Sequence, residues 1–133
     1  MRRRWVGTGI FLSEGVGVTP NKQVIRRYMD GFTRSDHQQI LSCLTDDVEW
    51  VIPGAFHVQG LEAFDSHIEH EDFVGSPVIA VTRLTEEGTV VVAEGTVRTQ
   101  RRDGATMSLV FCDVFEFERG KIRRLTSYLM PAG

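Results

Sequence analysis

The stretch LVFCDVFEFERG, residues 109–120, decides how the second half of this chain folds. It is rich in β-branched and aromatic residues until Arg119-Gly120 interrupts the pattern, so residues 109–118 are predicted to form a β-strand that ends in a turn. Successive side chains of a strand point to opposite faces. The side chains that share one face are Phe111, Asp113, Phe115 and Phe117. The sequence therefore predicts a strand face that is apolar except for one carboxyl group.

Asp113 is the most informative residue of the chain, because an acid stands where three phenylalanines make the strand face apolar. A buried carboxyl group must find a hydrogen-bonding partner, keep its proton or line a cavity. Two interpretations stay open on the sequence alone. Asp113 is either a polar residue that bridges to a neighbouring strand, or a functional acid whose pKa is raised by its surroundings.

The composition limits the class of protein. A chain of 133 residues is predicted to be one domain that can bury a core. Its net charge of −3 argues against a nucleic-acid partner, and no apolar run reaches the length of a membrane span. Cys43 and Cys112 show neither a disulfide framework nor metal-ligand spacing, so they are predicted to be buried free thiols of a cytoplasmic protein.

Residues 1–18 differ from the rest of the chain. Three arginines followed by apolar residues have the order of a signal peptide, but the segment Gly7-Thr8-Gly9 interrupts the apolar run. We interpret residues 1–18 as a flexible N-terminal extension. A secretion signal and an arm that packs on a neighbouring subunit remain as alternatives. The organised domain is predicted to span residues 19–133.

The organised domain changes from helical to strand periodicity at about residue 76. Thr19-Pro20 is typical of a helix start. The predicted helices lie at about 21–33, 36–44 and 61–73, and a short strand lies at 48–52. Four strands separated by glycine-containing turns are predicted between residues 78 and 130. This order predicts an α+β fold, in which about three N-terminal helices cover one face of a curved antiparallel sheet.

Three stretches in this order resemble the nuclear-transport-factor-like superfamily, and specifically its SnoaL-like and ketosteroid-isomerase-like branch. They are VIRRY at 24–28, LTDDVEW at 44–50 with Gly60 soon after, and DVFEFERGKI at 113–122. The resemblance implies a cone-shaped barrel closed by helices, a deep apolar pocket, and a homodimer that packs through the open sheet face. The residues expected on that outward face are Val91, Ala93, Val97, Val110 and Val114.

The resemblance also implies part of a catalytic set. Tyr28 falls where the family's oxyanion-binding tyrosine lies, and Asp113 falls where its proton-donating aspartic acid lies. In ketosteroid isomerase that acid is kept protonated by an apolar site. Ile52 occupies the position of the family's catalytic carboxylate. The base of ordinary steroid isomerisation is therefore missing.

Two other branches of the superfamily can be compared in the same way. The epoxide-hydrolase branch matches poorly, because Glu94-Gly95-Thr96 and Ser127 stand where its arginine and its acids lie. The SnoaL-like cyclase branch matches best, since there a single strand aspartate equivalent to Asp113 is the acid–base residue of an intramolecular aldol closure. Such a reaction needs little beyond one carboxyl group and a pocket that folds the substrate.

Three further polar features have a functional and a structural interpretation. Glu94 is a second pocket acid if its strand face is interior, and otherwise a rim residue or the partner of Arg98. His57 is either a general base at the pocket mouth or an exposed loop residue. The histidines and acids of residues 67–72 have helical spacing, but we interpret them as a solvated helix end and predict no metal site.

Two functions are compatible with these features. The first is a cofactor-independent acid–base enzyme, resembling a polyketide cyclase, an isomerase or a dehydratase, that acts on a small, largely apolar molecule of polyketide or steroid type. The second is a non-catalytic binding or accessory protein on the same fold. The absence of the family's base, replaced by Ile52, favours this second function.

The predicted catalytic residues are Asp113 as the proton carrier, Tyr28 as the residue that binds the oxyanion, and Glu94. Asp113 is expected to be buried within hydrogen-bonding reach of Tyr28 or Glu94. The residues predicted to contact the ligand are Trp50, Ile52, Phe56, His57, Phe64, Phe111, Leu125 and Ser127. No cofactor, nucleic-acid partner or membrane association is expected.

Overall fold

The computed structural model describes residues 3–6, 10–13 and 18–132, and for the first two of these ranges only the backbone is described. Strands β1 (Arg3–Val6) and β2 (Ile10–Ser13) pair as a small antiparallel ribbon. The other residues up to position 17 lie outside the described residues. The flexible extension over residues 1–18 and the domain boundary at residue 19 consequently stay predictions.

Three helices precede the long strands, as predicted. They are α1 (Pro20–Thr33), α2 (His37–Leu41) and α3 (Leu61–Ser66). Thr19 caps α1 by accepting a hydrogen bond from the backbone N–H of Lys22 at 3.1 Å, and its hydroxyl donates to Glu86. Helix α3 is shorter than predicted, because the chain after Ser66 closes tight turns and then begins a strand at Phe73.

One six-stranded sheet forms the second layer, in the order β4-β3-β8-β7-β6-β5. Its strands are β3 (Leu44–Ile52), β4 (Phe56–Gln59), β5 (Phe73–Glu87), β6 (Val90–Arg101), β7 (Thr106–Glu118) and β8 (Lys121–Pro131). Strands β5 to β8 form the predicted antiparallel meander. Beyond this meander, the sheet as a whole is mixed and open. Strand β3 pairs in parallel with β8, and β4 and β5 remain as the two edges of an open cone.

The core lies between the helices and the concave face of the sheet. Phe111, Asp113, Phe115 and Phe117 all point into this layer, which confirms the alternation predicted for β7. From the helical side, Tyr28 of α1 packs edge-on against Phe115, with 5.4 Å between the ring centroids. The predicted acid is therefore in the interior of the fold.

The outward face differs from the predicted one. Val110 and Val114 point outward as predicted, but Val91, Ala93 and Val97 point inward. The reason is the pairing of β6 with β7, in which Ala93 lies directly opposite Asp113 and so shares its face. The apolar run from Val90 to Ala93 supplies apolar side chains to both faces of the sheet. The run alone therefore does not indicate which of its residues face the interior.

Gly95 allows β5, β6 and β7 to pack closely at the bend of the sheet. The β5–β6 register shifts between Val81 and Arg83, which is the kind of irregularity that bends a strand. A Cβ atom on Gly95 would overlap the carbonyl oxygen of Ala80 and lie 2.9 Å from Cζ of Phe111. The absence of a side chain is therefore required for this curvature.

We expect Gly95→Ala to lower the free energy of unfolding by about 1–3 kcal/mol, since an overpacked interior forces backbone shifts. Urea denaturation measures the change. Thr96→Ala is the matched control, because Thr96 is exposed on the opposite face of the same strand. A Gly95→Ala protein as stable as the Thr96→Ala protein would contradict the close packing described here.

Candidate active site

Asp113 lies near the centre of the concave face, where the residue is 9% exposed. It is paired across the strands with Ala93 of β6 and Ser127 of β8, and both of these residues are buried. Among the described residues, Oδ1 of Asp113 has no hydrogen-bond partner. A buried oxygen without a hydrogen-bond partner lowers the stability of the folded protein by about 1–3 kcal/mol. A group of a bound ligand could supply the missing hydrogen bond, with Oδ1 as the acceptor when it is ionised and as the donor when it is protonated.

The surroundings of Asp113 favour its neutral form. Burial disfavours the carboxylate and raises the pKa of Asp113 to about 7, while hydrogen bonding from the Ser127 hydroxyl acts in the opposite direction. Near neutral pH both protonation states are therefore populated. A general acid or base works best when its pKa lies near the working pH.

A cluster of aromatic rings packs around Trp50, which contacts Ser127, the residue paired with Asp113. Trp50 of β3 stacks on Phe64 of α3, with 4.5 Å between the centroids, and meets Phe56 edge-on at 5.2 Å. The Trp50 indole Nε1–H donates a hydrogen bond to Oγ of Ser127 at 3.2 Å. The residues next to Asp113 are thus held both by ring packing and by a polar contact.

Tyr28 is buried on α1 and interacts electrostatically with Asp113. Burial, and secondly the negative charge of Asp113, raise the pKa of the Tyr28 phenol, so the hydroxyl remains a hydrogen-bond donor at neutral pH. The predicted direct hydrogen bond from Asp113 to Tyr28 or Glu94 is not found among the described contacts. The two side chains interact through charge, and the Tyr28 ring is held by Phe115 and Phe32.

Glu94 is not a second interior acid, and that prediction is wrong. It pairs with Cys112 on the convex face, and its Oε2 accepts a hydrogen bond from Nε of Arg83 at 2.7 Å. The alternative prediction, in which Glu94 pairs with Arg98, is therefore also wrong. Since Glu94 and Ala93 are consecutive, the inward position of Ala93 fixes the outward position of Glu94. Cys112 is only half-buried for the same reason, whereas Cys43 is buried as predicted.

His57 likewise lies outside the interior. It is on β4 opposite Val51, its side chain is 57% exposed, and its Nε2 lies 3.3 Å from Oε2 of Glu49. The plain interpretation of this histidine as an exposed residue is confirmed, although it belongs to a strand and not to a loop. A role for His57 at the mouth of a pocket has no support in this geometry.

The remaining residues predicted to contact a ligand are part of the buried core or pack against it. They are Trp50, Ile52, Phe56, Phe64, Phe111, Leu125 and Ser127. Ile52 and Phe56 are only half-buried, and Leu129, which pairs with Phe111 on the same face, is 41% exposed. The concave face therefore becomes accessible toward this end. Leu129 was missed by the sequence reasoning, although its spacing of two from Leu125 through Ser127 could have identified it.

A groove elsewhere in the described structure has a different, charged character. A solvent-open groove of about 390 Å³ is lined by Asp72, Arg101, Arg102 and Asp103, at the opposite end of β6 from Ala93. Its charged, exposed lining is that of a surface turn. The described residues contain no cluster of three histidine, cysteine or acidic side chains placed to hold a metal ion. Nor is any described helix long and apolar enough to cross a membrane.

The comparisons with known proteins give a family and a fold. A model of the SnoaL-like domain matches residues 25–125. An NTF2-like protein of unknown function from Burkholderia pseudomallei K96243 is 24% identical over 84% of this chain and 92% of its own, with a TM-score of 0.79. TerC, co-crystallised with polyporic acid, is 27% identical over 82% of this chain and 90% of its own, with a TM-score of 0.76.

A third similar structure is a candidate polyketide cyclase from Xanthomonas campestris pathovar campestris, which is 24% identical over 82% of this chain and 89% of its own, with a TM-score of 0.70. A search of curated proteins gave no match. The structural likenesses confirm the cone fold expected from the sequence. At these identities they do not transfer a reaction.

Proposed function

This chain belongs to the SnoaL-like family, and from that premise we propose that it is a cofactor-independent acid–base enzyme. It acts on a small, largely apolar molecule of polyketide or steroid type, by cyclisation, isomerisation or dehydration. Asp113 is the proton carrier. The observation that supports this proposal most strongly is the buried Asp113 carboxyl, whose Oδ1 has no hydrogen-bond partner among the described residues. Its pKa of about 7 suits it to give and take a proton at neutral pH.

The arrangement supports an aldol-type closure in which the protons balance. The Asp113 carboxylate takes a proton from a carbon next to a carbonyl group, and the resulting enolate oxygen accepts a hydrogen bond from the Tyr28 hydroxyl. The enolate carbon then attacks a second carbonyl group of the same molecule. The new alkoxide finally takes the proton back from Asp113. One carboxyl group is sufficient for this cycle, because the substrate regains the proton that it gave.

The substrate class is supported by the walls of the interior and by the family. Trp50 donates a hydrogen bond to Ser127 and packs against the rings of Phe56 and Phe64, and Ser127 is paired with Asp113. Apolar walls with a few polar groups are typical of small-molecule sites. TerC, the relative of 27% identity, was crystallised with polyporic acid. A flat, partly oxygenated ring system therefore fits the proposal.

A non-catalytic binding protein is the second candidate, and one observation favours it. Ile52 stands where the family resemblance implies a catalytic base, and Glu94 points to the opposite face, so the described interior brings no second acid to Asp113. Reactions that need two carboxyl groups are consequently disfavoured. A protein that only binds its ligand would need the shape of the interior, but not the proton of Asp113.

Ligand binding and turnover can be tested together. A panel of aromatic polyketide and steroid compounds is titrated against the protein while Trp50 fluorescence is followed, with Trp50→Phe as the control for signal arising at Trp5. Bound compounds are then incubated with the protein and analysed by liquid chromatography and mass spectrometry for isomeric or dehydrated products. Binding with product formation supports the enzyme, and binding without product supports the accessory protein. An absence of binding across the panel contradicts both.

A homodimer is the second part of the proposal. The outward face carries Val92, Val110, Val114, Tyr128 and Met130, of which Tyr128 is 52% and Met130 61% exposed. Contiguous apolar area of this kind is typical of an interface.

We expect sedimentation to show a dimer at micromolar concentration, and we expect the double variant Tyr128→Arg with Met130→Arg to be a monomer. Glu62→Arg, an exposed change on α3, is the control. A monomeric unsubstituted protein would contradict the expectation.

A further inference from the structure

Ser127 is the polar neighbour of Asp113 that the proposed reaction does not itself use. It is 5% exposed on β8 and occupies the position paired with Asp113 of β7. Directly opposed residues on neighbouring strands have Cβ atoms about 4.5–5.5 Å apart and share a face. The Ser127 side chain therefore lies beside Asp113 on the concave face.

The Trp50 indole controls the direction in which the Ser127 hydroxyl can donate. An indole N–H is only a donor, so Oγ of Ser127 must accept the hydrogen bond from Trp50 Nε1 at 3.2 Å. The single hydroxyl proton of Ser127 is then left to point elsewhere. The Asp113 carboxyl group is the cross-strand neighbour of Ser127, and donation to it would favour the charged form of the acid.

The indole itself is fixed by packing. Its ring stacks on Phe64 with an interplanar angle of 24° and is met edge-on by Phe56 and Phe32, at centroid distances of 5.2 and 6.1 Å. Trp50 is also bound to the sheet through its parallel pairing with Leu125 of β8. A group held in this way keeps its hydrogen bond in one direction, which is what a positioned site requires.

We propose that Ser127 is a positioning residue, held by the Trp50 indole, whose hydroxyl binds one oxygen of Asp113 and leaves Oδ1 as the oxygen that exchanges the proton. This proposal rests on the proposed function of Asp113. It assigns Ser127 a different role from the ligand contact expected from the sequence. Without a hydrogen bond from Ser127, rotation of the carboxyl group would exchange its two oxygens. The Trp50–Ser127 contact therefore serves the reaction as well as the stability of the fold, because it holds the hydroxyl that prevents this rotation.

Other titratable groups near Asp113 do not obscure the test. Tyr28 faces it from α1, and Cys112 lies next to it on the other face of β7. Burial raises the pKa of both groups above their ordinary values, so both stay protonated while Asp113 titrates. Cys43, which interacts electrostatically with Tyr28, has a pKa that burial raises in the same way.

The test is a titration of the Asp113 carboxyl carbon by NMR, with aspartate labelled at that carbon and the signal assigned by its loss in Asp113→Asn. In Ser127→Ala, the loss of one hydrogen bond should raise the pKa of Asp113 by about 0.5–1 pH unit. Trp50→Phe should raise it by less, because the hydroxyl remains but is no longer held. Ser127→Thr, which keeps the hydroxyl, should restore the unsubstituted value.

The double variant Trp50→Phe with Ser127→Ala distinguishes an effect through Ser127 from an independent one. The proposal predicts the same pKa as in Ser127→Ala alone, since Trp50 acts only by holding the hydroxyl. Full additivity of the two shifts, or an unchanged pKa in Ser127→Ala, would overturn it. The titration requires no substrate, so its outcome is independent of turnover. If turnover survives Asp113→Asn, the proposed function fails even where the titration behaves as expected.

Kinetics give a second readout once a substrate is identified. A positioning role predicts that Ser127→Ala lowers kcat and moves the pH–rate profile with the pKa of Asp113, while KM changes little. A ligand-contact role predicts a raised KM with an unmoved profile. The second pattern would overturn the proposal and return Ser127 to the role expected from the sequence.

Discussion

Asp113→Asn is expected to lower turnover by about 10²–10⁴-fold, which is the usual contribution of a general acid–base residue. Asparagine keeps the shape of the side chain but cannot carry the proton between substrate carbon and oxygen. Ligand affinity should therefore stay within about a few-fold of its original value, because the apolar walls are unchanged. Turnover is measured on the compound identified by the binding panel, and affinity is measured by Trp50 fluorescence.

Glu94→Gln is the matched control for this prediction. Glu94 lies one position along β6 from Ala93, the residue opposite Asp113, but on the convex face in an ion pair with Arg83. We expect its substitution to leave turnover unchanged. If Glu94→Gln reduces turnover as strongly as Asp113→Asn, then the assignment of a single interior acid is incorrect. If Asp113→Asn retains full turnover, the enzymatic proposal is incorrect.

The second large effect is a dependence of stability on pH. Burial raises the pKa of Asp113 to about 7 in the folded state, whereas in the unfolded chain it is ~3.9. Between these values the unfolded chain has released a proton that the folded protein keeps. Stability from this group is therefore fully present below pH ~4 and is lost as pH rises through about 7. The free energy of unfolding should decrease by roughly 2–3 kcal/mol between pH 5 and pH 8.

Urea denaturation of the unsubstituted protein and of Asp113→Asn at pH 5, 6, 7 and 8 measures this dependence. The informative quantity is the difference between the two proteins, since other groups titrate in the same range. His37 is one of them: hydrogen bonds to Asp65 and then Glu69 raise its pKa, so its contribution is also lost as pH rises. His37 is present in both proteins and cancels in the difference. A difference that is the same at pH 5 and pH 8 would contradict a raised pKa of Asp113.

The sequence was sufficient for the fold and for the inward position of Asp113. In β7 the aromatic residues alternate with polar or smaller ones, so the period of two fixes which side chains share a face. Thr19-Pro20 and Asp36 likewise carry local capping chemistry, and both helix starts are found as predicted. These features depend on neighbours in the sequence, which is why they can be recognised without a structure.

Features that depend on pairing between distant strands were not predictable in the same way. Glu94 could be interior or exterior because the apolar run before it supplies both faces of β6, and only its register with Asp113's strand decides between them. The parallel pairing of β3 with β8 brings Trp50 to Ser127 across 77 positions of the chain, and no local pattern indicates it. The polar neighbour of the acid thus became apparent only from the sheet order.

Asp113 is proposed to be an interior acid that exchanges its proton near neutral pH. The most direct measurement is the NMR titration of its carboxyl carbon in the unsubstituted protein between pH 3 and pH 9. We expect a single transition at about pH 7, and a shift of that transition when a ligand with a carbonyl or hydroxyl group is bound. A transition near the ordinary aspartate value of ~3.9, unaffected by every ligand that binds, would contradict it.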